Sequence, residues 1–154
     1  MMKRTYFMPL AALLGVATPM VAQAQIAAPL GLDEALKMGS EALKTAKARG
    51  RPVSIVIVNR EGRVIVSMRM DGASFVSLQV AESKATTAAA VGAPTEALES
   101  AIDAGKTSLL SVPGLSLITG GIPVLRNGQV VAGVGVSGGS QEDDRTIAQV
   151  AAGS

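Results

Sequence analysis

The stretch from Val64 to Val91 constrains the fold most strongly, because it joins a strand to an alanine-rich helix through one tight turn. Alternating side chains as far as Arg69 predict a strand that buries one face. The turn that follows contains Asp71-Gly72, a residue pair typical of turns. The helix carries small side chains that permit close approach to a sheet or to another subunit, namely Ala81, Ala85, Ala88 and Ala89.

Two short loops indicate that neighbouring strands pair as hairpins rather than through helical crossovers. Asn59–Gly62 places a glycine where a positive φ is needed, and Asn127-Gly128 is the strongest hairpin signal in the chain. The resulting order, α-β-β-α-α-β-β-β-α, predicts an α/β (α+β) domain with helices packed on a five-stranded, mostly antiparallel sheet. The predicted strands are Val53–Val58, Arg63–Arg69, Leu115–Thr119, Ile122–Arg126 and Gln129–Val136.

The beginning of the chain has the pattern of a secretory signal. Lys3 and Arg4 precede an apolar run that leads to the small-residue pattern Ala22-Gln23-Ala24. We predict a signal peptide over residues 1–24, cleaved after Ala24, then a linker over 25–31 and a single domain over 32–154. An uncleaved anchor is the alternative, although glycine and proline interrupt the apolar run. The mature protein is therefore expected to be periplasmic or secreted, without stable membrane insertion.

Loss of residues 1–24 removes the excess of positive charge. The whole chain has 14 Lys and Arg against 12 Asp and Glu, and since Lys3 and Arg4 leave with the signal, 12 of each remain. A neutral surface without a basic run lacks the electrostatic footprint of a protein that binds nucleic acid. We therefore expect no nucleic-acid partner.

The absence of several residue types excludes whole classes of chemistry. The chain has no His, Cys or Trp, so Ser-His-Asp and Cys-His mechanisms and His-based zinc sites are excluded. Tyr6 and Phe7 lie in the predicted signal, which leaves Phe75 as the one aromatic residue of the mature chain. Carboxylates, lysine, arginine, hydroxyls and thioethers remain available.

The strand, turn and helix between residues 64 and 91 carry the candidate ligand-binding residues. Arg69 and Asp71 lie where the strand ends, and Lys84, Thr86 and Thr87 lie on the helix. One interpretation is an Arg–Asp pair that stiffens the turn, with an exposed lysine nearby. The other is a pocket for a carboxylate or another anion, in which arginine offers bidentate recognition.

Two further patterns leave alternatives open. Met68 and Met70 are two apart on a strand and so share a face, where they either fill the core or form a soft ligand pair. Glu142, Asp143 and Asp144 open the last helix, where they either cap it or hold a divalent cation. No metal site is predicted, since the spacing of known calcium loops is absent.

Four motifs occur together in the mature chain. They are R-M-D-G-A from Arg69, K-A-x-T-A-A from Lys84, G-G-I-P-V from Gly120 and G-V-S-G-G-x-x-x-D-D from Gly135. In combination they resemble the GlcG/HbpS family of haem-binding and haem-degrading proteins, and the resemblance runs from about residue 32 to 148. It implies a profilin-like three-layer α/β/α sandwich, homo-oligomers, and exported members that bind haem or iron.

The resemblance implies an exported protein that binds haem or a small carboxylate, with Arg69 and Lys84 pairing with the haem propionates. Some members of the family hold haem through a threonine, which directs attention to Thr86 and Thr87, because the strong ligands His and Cys are missing. Other members are associated with glycolate utilisation. The alternatives are therefore an enzyme that acts on a small hydroxy or keto acid through Lys84 or Asp71, and a non-catalytic partner subunit.

Overall fold

The computed structural model describes residues 26–153, so the predicted signal peptide over residues 1–24 lies outside the described residues. Within 26–153, the chain forms one antiparallel sheet with the strand order β2-β1-β4-β3. The strands are β1 (Ser54–Asn59), β2 (Val64–Arg69), β3 (Gly121–Arg126) and β4 (Gln129–Ser137).

Four α-helices and one 3-10 turn complete the described chain. Among residues 26–153, none of these helices is both long enough and apolar enough to span a membrane. The helices are α1 (Leu32–Ala48), α2 (Ser77–Val91), α3 (Thr95–Asp103) and α4 (Gln141–Ala152), and the 3-10 turn is Thr107–Ser111.

Strand β1 is buried on both faces and separates two apolar clusters. Because side chains alternate along a strand, Ile55 and Ile57 point to one face, where they pack with residues of α1 and α4. Val56 and Val58 point to the other face, where they pack with alanines of α2. Helices therefore cover both faces of the sheet, which confirms the predicted α/β class.

The prediction of a fifth strand over Leu115–Thr119 is wrong. This segment is irregular, and its backbone amides bind side chains instead of a neighbouring strand. Ser116 N–H donates to Thr87 Oγ1 at 2.8 Å, and Thr119 N–H donates to the Glu99 carboxylate at 2.8 Å. The sheet therefore has four strands, and the apolar residues that suggested a fifth belong to a loop.

Both predicted hairpin loops are confirmed. Asn127 and Gly128 adopt left-handed conformations, with φ of 51° and 75°, between β3 and β4. Such paired positive φ values fit the twist of an antiparallel hairpin. Gly62, with φ of 77°, closes the loop between β1 and β2.

The small residues of α2 predict a close approach to the sheet or to another subunit, and the structure shows the approach to the sheet. A Cβ added at Gly135 of β4 would lie 1.9 Å from the carbonyl oxygen of Ala81, and one at Gly133 would lie 2.2 Å from that of Ala85. The two backbones are thus too close for any side chain at these strand positions. Small residues on both elements allow this contact.

Candidate functional site

A cavity of about 520 Å³ opens where β2 ends, beside the last turns of α1. Its volume lies within the usual range for small-molecule sites, about 300–1,000 Å³. It combines apolar, thioether and charged side chains, and we call it the β2-exit cavity. It is lined by Leu43, Lys47, Met68, Arg69, Met70 and Asp71.

Arg69 does not form the predicted pair with Asp71. Its Nη2 donates to the backbone carbonyl of Ala73 at 2.5 Å, so the guanidinium stiffens the turn through the backbone. Within residues 26–153, Arg69 and Asp71 form no ion pair. Both side chains are exposed, so the charges of Arg69 and Asp71 remain available to a ligand at the cavity.

The two methionines contact the same core cluster but differ in their other contacts. Met68 packs against α1 at Gly39, where an added Cβ would lie 2.5 Å from the Met68 Cε atom. It therefore fills space between the sheet and the helix. Met70 follows the strand, and its backbone N–H donates to the Val53 carbonyl at 3.0 Å. Both side chains are half-buried and line the cavity, so the cavity wall holds two thioethers.

Lys84 lies in a different place, buried between α2, the end of β4 and the start of α4. Its Nζ donates to Asp144 Oδ2 and to the Val136 carbonyl, each at 2.9 Å. The Lys84 and Asp144 side chains are only 3% and 6% exposed. Gly139 N–H donates to the second oxygen of Asp144 at 2.9 Å. We call this group the Lys84 centre.

Glycines make room for the Lys84 centre. A Cβ at Gly120 would lie 2.9 Å from Lys84 Nζ and 2.7 Å from the Val136 carbonyl oxygen. At Gly121 it would lie 2.4 Å from the backbone oxygen of Lys84. The G-G of the third motif is thus required by the close approach of this loop to α2, so the motif has a structural explanation.

Glu99 lies near the Lys84 centre and binds the loop that contains Thr119. Its carboxylate accepts the Thr119 hydroxyl at 2.6 Å and the Gln141 side-chain amide at 2.6 Å. These hydrogen bonds, chiefly that from Thr119, lower the pKa of Glu99, and the positive charge of Lys84 adds to the effect. A carboxylate that remains ionised can accept the hydrogen bonds from Thr119 and Gln141 with both of its oxygens.

The threonines of α2 are also apart from the cavity. Thr87 is fully buried, and its hydroxyl accepts a hydrogen bond from Ser116 N–H. Thr86 is half-buried, with its methyl group against Gly62. The structure therefore brings Arg69 and Asp71 together and leaves Lys84, Thr86 and Thr87 outside the lining of the β2-exit cavity.

Sequence reasoning missed the partners of the buried charges. The sequence pattern predicts that Asp143 and Asp144 cap α4 or hold a cation, yet they lie in ion pairs with arginines and a lysine. Ser140 does cap α4, since its side chain accepts from Asp143 N–H. Within 26–153, no group of three or more acidic residues is placed to hold a metal ion. One feature of the sequence does indicate a buried ion pair. Lys84 lies in an alanine-rich segment that packs closely, and a lysine buried there needs a partner of opposite charge.

Comparisons with known proteins agree on one family. The family model described as haem degrading protein, HbpS-like, matches residues 30–153. A 15.0 kDa protein from the dhaT-dhaS intergenic region of Citrobacter freundii is 32% identical over 133 residues, which cover 84% of this chain and 94% of that protein.

Solved structures give the same result. A double mutant of HbpS from Streptomyces reticuli is 34% identical, with a TM-score of 0.77, over 94% of this chain and 97% of that one. A PduOC:heme complex is 31% identical, with a TM-score of 0.74, over 82% of this chain and 94% of that one. Each of these similarities spans most of both proteins.

Proposed function

Since the chain belongs to the family of HbpS-like haem-degrading proteins, we propose that it is an exported protein that binds haem at the β2-exit cavity. The observation that carries this proposal is the composition of the cavity wall. Two thioethers, one leucine, two cationic side chains and one carboxylate meet there, so cations outnumber anions in the wall. Similarity to a PduOC:heme complex supports haem as the ligand class.

The donor set of the mature chain fits this choice. Proteins bind haem iron mainly through His, Cys, Met or Tyr. The chain lacks His and Cys, and its sole Tyr lies in the predicted signal, so methionine is the strong donor that remains. Both methionines contact the same core cluster, but Met68 also packs against Gly39 of α1, whereas Met70 follows the last residue of β2. We therefore assign Met70 as the iron ligand.

The charges at the cavity fit the propionates of haem. Lys47 and Arg69 are exposed and lie in the same cavity wall. A guanidinium binds a carboxylate through two parallel hydrogen bonds, whereas an ammonium acts as a point charge. Two other cavities, near Ile26 and Arg60, have no methionine in their walls and so lack a soft donor.

Lys84, Thr86 and Thr87 lie outside the lining of the cavity, so they are not haem ligands in this proposal. Lys84 already donates to Asp144 and Val136, and the Thr87 hydroxyl accepts from Ser116. These contacts leave their polar groups engaged inside the fold. Thr87→Ala is therefore expected to retain haem binding, and loss of binding in that variant would support the threonine-ligand alternative.

A haemin titration of the mature protein tests the proposal. Saturable binding is expected, with an absorbance spectrum that changes in Met70→Leu because the thioether ligand is lost. Met68→Leu is the matched control, since it removes the same group from a residue packed against α1. An unsaturable absorbance change, or identical spectra for all three proteins, would contradict the proposal.

A small carboxylate is the second candidate ligand, because Arg69, Lys47 and Asp71 share one cavity. An enzyme that acts on a small hydroxy or keto acid would use Arg69 to hold the substrate and Asp71 as the acid or base. Thermal-shift measurements with glycolate and glyoxylate test this alternative. Stabilisation by either acid without saturable haem binding would favour it over the haem site.

Export and self-association complete the proposal. Cleavage after Ala24 would give a mature protein that begins at Gln25, which N-terminal sequencing of the exported protein can establish.

Phe75 is 98% exposed and its neighbour Val76 is 53% exposed, as expected for residues that are covered in a homo-oligomer. Phe75→Ser is therefore expected to weaken association, measured by light scattering.

A further inference from the structure

Two arginines near the end of α1 share a single carboxylate at the start of α4. Arg49 Nε lies 2.7 Å from Asp143 Oδ1, and Arg51 Nε lies 2.8 Å from Asp143 Oδ2. Because the two oxygens belong to one carboxylate, the two guanidinium groups are held close together. The cluster carries one positive charge in excess.

The shared carboxylate is fully engaged. Asp143 also accepts the Ser140 hydroxyl at 2.7 Å, and its side chain is only 8% exposed. These hydrogen bonds and the two arginines lower the pKa of Asp143 to about 2, so the group is ionised at neutral pH. A permanently charged anchor fixes the position of both arginines.

The outer atoms of both arginines are available. Among residues 26–153, the Nη atoms of Arg49 and Arg51 donate no hydrogen bond to the protein. The two side chains are 36% and 54% exposed. Two like charges held side by side repel each other, and a bound anion that contacts both would relieve that repulsion.

We propose that the free Nη groups of Arg49 and Arg51 bind a small oxyanion, of the phosphate or carboxylate class. The planar fork of each guanidinium matches the geometry of such an anion and provides two parallel donors. The site differs from the β2-exit cavity, whose lining includes neither arginine. It therefore stands independently of the proposed haem function.

Titration of the haem-free, full mature protein with inorganic phosphate and, separately, with malonate tests this site. The buffer should contain no other oxyanion, and binding is followed by calorimetry. Saturable binding of at least one anion is expected, and Arg51→Gln is expected to weaken it at least tenfold. Tighter binding of phosphate would assign a phosphoryl ligand, and tighter binding of malonate would assign a carboxylate ligand.

Two further variants separate binding from folding. Arg51→Lys keeps the charge that pairs with Asp143 but loses the fork, so it should fold normally and bind several-fold more weakly than the wild type. Arg63 is exposed and forms no ion pair within residues 26–153. Arg63→Gln should therefore leave binding unchanged. Absence of saturable binding by the wild type, or equal affinities for the wild type and Arg51→Gln, would overturn the proposal.

Discussion

The Lys84 centre and the β2-exit cavity contain the same kinds of charged group but place them in opposite environments. Lys84 is 3% exposed, and both of its acceptors are supplied by the fold. Arg69, Lys47 and Asp71 are exposed and form no ion pair with one another within residues 26–153. Buried charges need partners inside the protein, whereas exposed charges remain free to bind a ligand.

The motifs that carry the family resemblance fall into the same two groups, those at the Lys84 centre and the one at the β2-exit cavity. Three of the four motifs contribute to the Lys84 centre, through Lys84 itself, Gly120 and Asp144. The remaining motif, R-M-D-G-A, contributes Arg69 and Met70 to the cavity wall. Most of the resemblance therefore reflects how α2, the sheet and α4 are held together, and only a short segment lies at the proposed haem site.

Lys84→Met should have the largest effect on stability. It would leave the Asp144 carboxylate buried without its cation, and breaking such a pair costs about 3–5 kcal/mol. The free energy of unfolding, measured with urea, should fall by that amount. The double variant Lys84→Met with Asp144→Leu should recover most of the loss, because neither charge is then left unpaired. Equal destabilisation of the single and double variants would contradict this explanation, because it would show that the unpaired Asp144 carboxylate is not the cause of the loss.

Gly135→Ala should have the next largest effect, because the new Cβ would lie 1.9 Å from the Ala81 carbonyl oxygen. Forcing α2 away from the sheet should lower the free energy of unfolding by about 1–3 kcal/mol, the usual range for overpacking. Gly31→Ala is the control for steric overlap, since nothing lies within 4 Å of a Cβ there and only the preference for glycine over alanine at the N-cap of α1 is lost. If both variants unfold at the same urea concentration, the close contact between α2 and β4 does not restrict the size of the side chain at position 135.

Acid should weaken the link between α1 and α4. The pKa of Asp143 is about 2 in the folded protein against 3.8 ordinarily, so its contribution is complete above about pH 4 and disappears as the pH falls towards 2. The melting temperature of the wild type should exceed that of Asp143→Asn at neutral pH, and the difference should shrink between pH 4 and 2. A difference in melting temperature that stays constant between pH 4 and 2 would contradict the lowered pKa of Asp143.

Local patterns predicted much of the fold. Asn127-Gly128 specifies its hairpin through positive φ, and Ser140 caps α4 through a bond three residues away. The small residues of α2 predicted a close contact, and Gly133 and Gly135 provide it. Each of these features depends on a few neighbouring residues or on side-chain size alone.

Long-range polar partners could not be predicted in the same way. The segment around Leu115 has the apolar content of a strand, but Thr87 and Glu99 bind its amides and keep it irregular. Lys84 finds Asp144 sixty positions along the chain. Such pairs depend on how helices are placed across the sheet, and no local pattern in one sequence encodes that placement.

The haem affinity of Arg69→Gln tests the central claim most directly. Loss of a hydrogen bond to a charged propionate costs about 1.5–3 kcal/mol, so the haemin dissociation constant should rise at least about tenfold. The free energy of unfolding should change by about 1 kcal/mol or less, since only the contact with Ala73 is lost. Arg63→Gln should bind haemin as the wild type does. An unchanged dissociation constant for Arg69→Gln would contradict the assignment of the β2-exit cavity as the haem site.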